Sequence, residues 1–300
     1  MNDRHLGLDL GGTSIKVALL ERSGAGFKVV WTDQTDTRAW LGPDVVTDTL
    51  VQAAHHAIQS GGPVTSVGLG VPGLFERETG NVLLFPNLPG PWKGYPLRKV
   101  MEGAIGRTVW MVNDARAFAL AEGTMGAGAG YRTVACMTLG TGIGGGIMIE
   151  GRLHQGAFGV AGELGHQTID PNGPRCGCGN RGCVEALAKA AVLAELAGKG
   201  SAEEVYETAA AGDEASLAAI RRVAEYIGIG LANVVTLLGP DRIIVGGGIA
   251  EAGELVLQPI REAVRERVTL VPTELIEVVP ASLGNSAGAL GAALAGLLRP

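Results

Sequence analysis

Three of the chain's four cysteines fall in one short stretch, CGCGNRGC, residues 176–183. Thiols this close suggest a disulfide, a redox pair or a metal. The N-terminus, MNDRHLGLDL, has neither the basic segment nor the apolar run of an export signal. A cytoplasmic location is therefore expected, and reducing cytosol disfavours structural disulfides. Cys176 and Cys178 are spaced C-x-C, whereas a thioredoxin-like pair reads C-x-x-C. Zinc remains, and it takes nitrogen and sulfur ligands in a closed tetrahedral site. His166, in AGELGHQ, is the nearest candidate to complete a set with Cys176, Cys178 and Cys183. With no position left for water, such a zinc would be structural. The plainer alternative is three unligated thiols in a glycine-rich loop. Cys136, in the apolar run TVACMTL, reads as a core residue.

Two glycine-rich turns suit an anion. In DLGGT, residues 9–13, glycines let backbone N–H groups approach closely and Thr13 adds a hydroxyl. Asp9 is placed to hold Mg2+ through water, and Lys16 adds positive charge. LGTGIGGG, residues 139–146, repeats the device with Thr138 and Thr141. Neither is a Walker loop, and the G-x-G-x-x-G spelling at 140–145 precedes an apolar strand where a dinucleotide site needs a helix. Each turn alone could serve hairpin geometry only. Two matched turns, with a third cluster in IIVGGGIA, favour a nucleotide held between lobes. VNDA, residues 112–115, ends a strand on Asn113 and Asp114. A carboxylate there can accept the proton of an attacking hydroxyl, or it can simply cap the following helix. Glu163, His166 and Glu185 lie on or beside the zinc loop, where they could bind sugar hydroxyls or be solvated loop residues. His166 has one nitrogen for a metal and another for a substrate.

These residues need positioning elements. HLGLDLGGTSIKVALLE reads as a glycine-turned hairpin, and residues 133–153 repeat its design, which predicts an internal duplication into two related lobes. Between the hairpins the pattern gives a strand at 27–32, a helix at 43–60, a buried strand in SVGLGVPG and a Pro/Gly-rich loop at 85–95. A helix at 97–105 and a strand at 108–112 follow. Beyond a helix at 115–122 and the second hairpin come helices at 185–197, 202–211 and 214–238 and a strand at 242–245. A helix at 251–268, a strand at 275–279 and a helix at 285–298 end the chain. Strands alternating with helices indicate an α/β fold. The expected division is a small lobe, residues 1–113, and a larger one, residues 114–286, with the last helix, about 287–300, crossing back to the first.

The 300 residues suffice for two such lobes. A net charge of −6 and 4% aromatic residues argue against nucleic acid as a partner. The longest apolar stretch, ALGAALAGLL, is too short to span a bilayer.

Taken in order, DLGGTSIK, PNLPGPW, VNDA, LGTGIGGG, GELGH, CGCGNRGCVE and VGGGI resemble the ROK family of sugar kinases and repressors. The resemblance covers essentially the whole chain. The glycine turns are shared with the wider actin/hexokinase superfamily, whereas E-x-G-H and C-G-C-G-x-x-G-C-x-E are particular to this family. It implies a two-lobed, ribonuclease H-like ATPase fold with a zinc loop in the larger lobe. It also implies an ATP- and Mg2+-dependent hexose kinase, glucokinase first, acting as a homodimer or homotetramer. Asp114 would be the base, and Asn87, Asn113, Asp114, Glu163, His166 and Glu185 would bind the hexose. Gly11, Gly12, Thr13, Thr141 and Gly142 would cradle phosphates, with Gly247 and Gly248 near the nucleoside. Relatives commonly read GGTK where this chain has GGTS, which leaves Lys16 as the nearby cation. Kinases of N-acetylglucosamine, N-acetylmannosamine or fructose share most of these motifs, and polyphosphate is a second possible donor. A sugar-sensing repressor would add an N-terminal helix-turn-helix domain, for which eight residues ahead of Asp9 leave no room.

Overall fold

The computed structural model describes residues 3–24 and 26–299. In chain order the elements are β1 (Arg4–Leu10), β2 (Ser14–Ser23), β3 (Gly26–Asp36), α1 (Pro43–Gly61), β4 (Ser66–Val71), β5 (Leu74–Phe75) and β6 (Val82–Leu84). Then come α2 (Leu97–Ile105), β7 (Val109–Asn113), α3 (Asp114–Met125), β8 (Thr133–Leu139), β9 (Ile143–Ile149) and β10 (Arg152–Leu153). The chain closes with α4 (Val184–Ala188), α5 (Ala190–Ala197), α6 (Ala202–Ala210), α7 (Glu214–Leu238), β11 (Arg242–Gly246), α8 (Glu254–Arg267), β12 (Val278–Pro280) and α9 (Ala287–Leu298).

They form two compact units, one running to Met125 and resuming at Asn285, the other spanning Gly126–Gly284. Each is built on a five-stranded sheet of the same design. The orders are β3-β2-β1-β4-β7 and β10-β9-β8-β11-β12. In both, an antiparallel meander opens the sheet and two parallel strands extend it from the first strand. The duplication expected from the two hairpins is present.

Strand alternation sorts the faces of the first sheet. Leu6, Leu8 and Leu10 of β1 and Val67, Leu69 and Val71 of β4 join Val46, Leu50 and Leu97 from α1 and α2 in one core. Gly7, Asp9, Gly68 and Gly70 occupy the other face. A side chain at Gly68 would strike the Ala292 carbonyl, so glycine there lets the alanine-rich α9 lie flat on the sheet. In the second unit, Ala135, Met137 and Leu139 of β8 pack with Ile227, Leu231 and Ile260 of α7 and α8. No helix among the described residues is long and apolar enough to cross a membrane.

Four details differ from the sequence expectation. The first unit extends through α3 to Met125 instead of ending at 113, because α3 packs on α9; a side chain at Gly291 would collide with the Ala117 backbone. The helix expected over 185–197 is two, broken at Lys189, which is extended with φ −68° and ψ 162°. The last strand starts at Val278, after a 3-10 turn at Thr273–Leu275. A short hairpin, β5–β6, fills the stretch between the SVGLGVPG strand and the 85–95 loop, for which the pattern gives no element.

Candidate functional site

Asp9 lies on the α9 face of β1. Part of the residue reaches the surface, but its carboxyl is enclosed: a side chain at Gly288, in the first turn of α9, would collide with it. Burial pushes Asp9 up to about 7, the charge of Asp114 adds to the rise and Lys16 opposes it. Lys16 sits directly across from Asp9 in the β1–β2 register, so both side chains share one face. The sequence reading left Lys16 as a cation for phosphates; its placement makes it first a counter-charge for Asp9.

The Gly11–Thr13 turn follows. Gly11 N donates to Ser14 O at 3.0 Å. The turn is buckled from outside by Thr37, just past β3. Its N–H donates to Thr13 O at 2.9 Å and its Oγ1 to Gly11 O at 2.7 Å. Thr37 is fully buried, whereas Gly12 and Thr13 are exposed. A side chain added at Gly12 would come within 3.2 Å of Asn87 O, so the Asn87 loop borders the turn. That loop is braced by aromatic contacts, Phe85 tilted against Trp92 at 5.0 Å and Trp92 edge-to-face with Tyr95 at 5.5 Å.

β7 delivers Asn113 and Asp114 to the start of α3. Asn113 Oδ1 accepts from Ala115 N at 3.1 Å and Arg116 N at 3.2 Å, and its Nδ2 donates to Gly73 O at 3.3 Å. Asn113 thus caps the helix. Asp114 is the first helical residue, its Oδ1 accepting from Ala115 N at 2.8 Å. The positive end of a helix is a favourable place for a carboxylate.

In the second unit the β8–β9 turn is closed by Gly140 N donating to Gly142 O at 3.0 Å, with Thr141 exposed at its tip. β11 runs beside β8 with Gly246 opposite Thr138. Gly247, at φ 86°, lies so close to Leu139 that a side chain there would strike its carbonyl. Thr141, Gly142, Gly247 and Gly248 therefore meet at one end of this sheet.

Glu163 precedes and His166 ends a 3-10 turn, Leu164–His166. Gly165 lies flat on β9, where any side chain would collide with the Ile143 carbonyl. This explains the glycine of GELGH: close approach to β9 sets the direction of its two neighbours. His166 Nδ1 is 3.6 Å from Cys176 Sγ, and Cys178 Sγ is 3.7 Å from Cys183 Sγ. One ligand atom from each of these four residues lies within 4.8 Å of the others. Tetrahedral zinc, with bonds of about 2.3 Å to sulfur and about 2.05 Å to nitrogen, needs S–S and N–S edges of about 3.8 and 3.6 Å. The set fits. Burial and the neighbouring thiols push Cys183 up to about 12, and burial also raises Cys176. Holding Cys176 and Cys183 as thiolates here would take a cation. The other ring nitrogen of His166 faces Glu163, whose Oε2 is 3.9 Å away.

Glu185, in the first turn of α4, spans two features. Its Oε2 accepts from Ile143 N at 3.0 Å and its Oε1 is 3.5 Å from Cys176 Sγ. The break at Lys189 lets Ala190 N donate to Gly140 O at 2.9 Å. Thr37 and Gly165 escaped the sequence reading. Thr37 lies 24 residues past Thr13 in no motif, whereas the glycine inside E-x-G-H was a usable signal.

The sequence pattern of the ROK family matches residues 5–296. The chain is 36% identical to a glucokinase of Thermotoga maritima, over 96% of this chain and 95% of that protein. It is similar in structure to a ROK hexokinase of Thermus thermophilus, at TM-score 0.84 and 35% identity, covering 99% of this chain and 98% of the other. A ROK family glucokinase of Streptomyces griseus, solved with glucose and AMPPNP, matches at TM-score 0.83 and 33% identity over 98% and 99% of the two chains. Sheets, glycine turns and likeness along the whole length agree: the chain belongs to the ROK family.

Proposed function

We infer that the chain is an ATP-dependent hexose kinase that phosphorylates glucose. It is a sugar phosphotransferase acting on a hydroxyl group, and the similarity to glucokinases over almost the full length supports glucose as the acceptor. The observation that carries the reaction is Asp114, set at the first position of α3 by the Asn113 cap. Its carboxylate takes the proton of the sugar 6-hydroxyl as that oxygen bonds to the γ-phosphorus. The bond from that phosphorus to the bridging oxygen breaks, and ADP leaves with the electron pair.

Asn87, Asn113, Glu163, His166 and Glu185 bind sugar hydroxyls. Asn113 does so with the amide side its capping oxygen leaves, and Glu185 with lone pairs beyond the one given to Ile143. Gly11, Gly12, Thr13, Thr141 and Gly142 cradle phosphates, and Gly247 and Gly248 border the nucleoside. Asp9 would hold Mg2+, its ionised form favoured by Lys16, and the cation would supply charge neutralisation on the phosphates. Zinc on His166, Cys176, Cys178 and Cys183 supplies rigidity. Cysteines serving as zinc ligands suit a reducing cytoplasm, and family likeness suggests a homodimer or homotetramer.

ADP release with glucose and with 6-deoxyglucose tests the reading. Turnover with glucose, none with 6-deoxyglucose, and a 6-phosphate product by phosphorus NMR are expected. Turnover on 6-deoxyglucose would refute the 6-hydroxyl as acceptor.

A further inference from the structure

The end of the 140–143 turn at Ile143 is held by segments that also carry the metal ligands. Ile143 is gripped on both sides. Its N–H donates to Glu185 Oε2 at 3.0 Å, two residues past Cys183. Its carbonyl lies against Gly165, next to His166, so closely that no side chain fits between. The second oxygen of Glu185 reaches Cys176 Sγ at 3.5 Å. One turn back, Gly140 O takes the Ala190 N–H at the start of α5. The side chain of Ile143 is itself buried.

The sheet explains why such a clamp is needed. In the first unit β3 runs eleven residues along β2 and delivers Thr37 to its glycine turn. In the second unit the corresponding strand, β10, has two residues, and the chain then leaves the sheet for the loop that carries the metal ligands. Among the described residues, β9 has a strand on its outer edge only at Met148 and Ile149, none at Ile143.

We propose that the metal cluster takes the place of that strand, with Glu185 as the positioning residue that passes its order to the turn. Metal occupancy then sets affinity for nucleotide phosphate as well as for sugar. The second statement rests on assigning the turn to phosphates; the first rests on contacts within this unit alone.

Two readouts separate them. Amide exchange over 139–145, read by mass spectrometry, reports the clamp without any ligand. Binding of AMPPNP, without sugar, reports the nucleotide site. With zinc retained at one per chain, Glu185→Ala should speed exchange at Ile143 and weaken AMPPNP about tenfold, the scale of one buried hydrogen bond to a charged group. Glu185→Gln, which keeps an acceptor oxygen, should bind AMPPNP within about threefold of wild type. Stripping zinc from wild type should loosen the same peptide, and do so less in Glu185→Ala, where the link is already cut.

Unchanged exchange at Ile143 in zinc-loaded Glu185→Ala would overturn the clamp. Equal loosening by zinc removal in both proteins would overturn Glu185 as its carrier. Loosened exchange with unchanged AMPPNP affinity would overturn the link to nucleotide. Wild type that binds no AMPPNP would refute the kinase reading, leaving exchange to decide the clamp.

Discussion

The two sheets share strand order and opening glycine hairpin, yet hold their turns differently. In the first unit a long β3 brings Thr37 back over Gly11–Thr13, and backbone and hydroxyl bonds close the turn. In the second, β10 stops after two residues, and a loop with a Cys3His cluster reaches the equivalent turn through Glu185 and Gly165. The first solution uses backbone and one threonine hydroxyl; the second needs a cation. The two units share an architecture and differ in the means of rigidity.

The largest expected effect lies in the first unit. Asp114→Asn should lower turnover about 10³-fold, the scale of a lost general base. Glucose binding, measured by calorimetry, should change far less. Turnover near wild type would move the base elsewhere.

Cys178→Ser should release zinc and, through the loosened turn and Glu163–His166, lower kcat/KM about 10- to 100-fold. Exchange should quicken over 139–145 and not over 8–16. Equal loosening of both turns would mean that the cluster stabilises the chain generally and would erase the contrast.

Asp9 offers a pH signature restricted to the first unit. Its folded pKa, about 7, lies above the ordinary 3.8. Between those values the native state keeps a proton that the unfolded chain has released, so stability falls as pH rises through this window. Asp9→Asn should therefore raise the melting temperature at pH 8, by on the order of a few kcal/mol in stability, and have little effect at pH 4. Measurements without added magnesium read this cleanly. A gain equal at both values would contradict the buried carboxyl as its source.

The smallest effect belongs to Thr37→Val. Losing its hydroxyl bond to Gly11 should cost about 1 kcal/mol, or about fivefold in AMPPNP affinity, and zinc removal should leave that factor unchanged. A factor that grew with zinc loss would couple the two turns and blunt the comparison.

Much of this was legible in sequence because its signals are local. DLGGT and LGTGIGGG declare their turns, and C-x-C with a nearby His declares the cluster. What was not legible depends on distant partners. Nothing around residue 37 marks a buckle for residue 11. The break at Lys189 has neither glycine nor proline; it follows from the Ala190 N–H serving Gly140. The unit boundary at Met125 depends on α9, some 160 residues downstream, seating Gly291 against Ala117. Asn113 and Asp114 stand out in sequence at the end of a strand, but which of them caps α3 is decided only by geometry.

The most direct test of the whole account is ADP release from MgATP by zinc-loaded protein with glucose, N-acetylglucosamine, N-acetylmannosamine, mannose and fructose in parallel. Strong turnover with glucose above all others is the predicted result. Preference for another sugar would contradict glucose as the acceptor, and no turnover on any sugar would contradict the kinase itself.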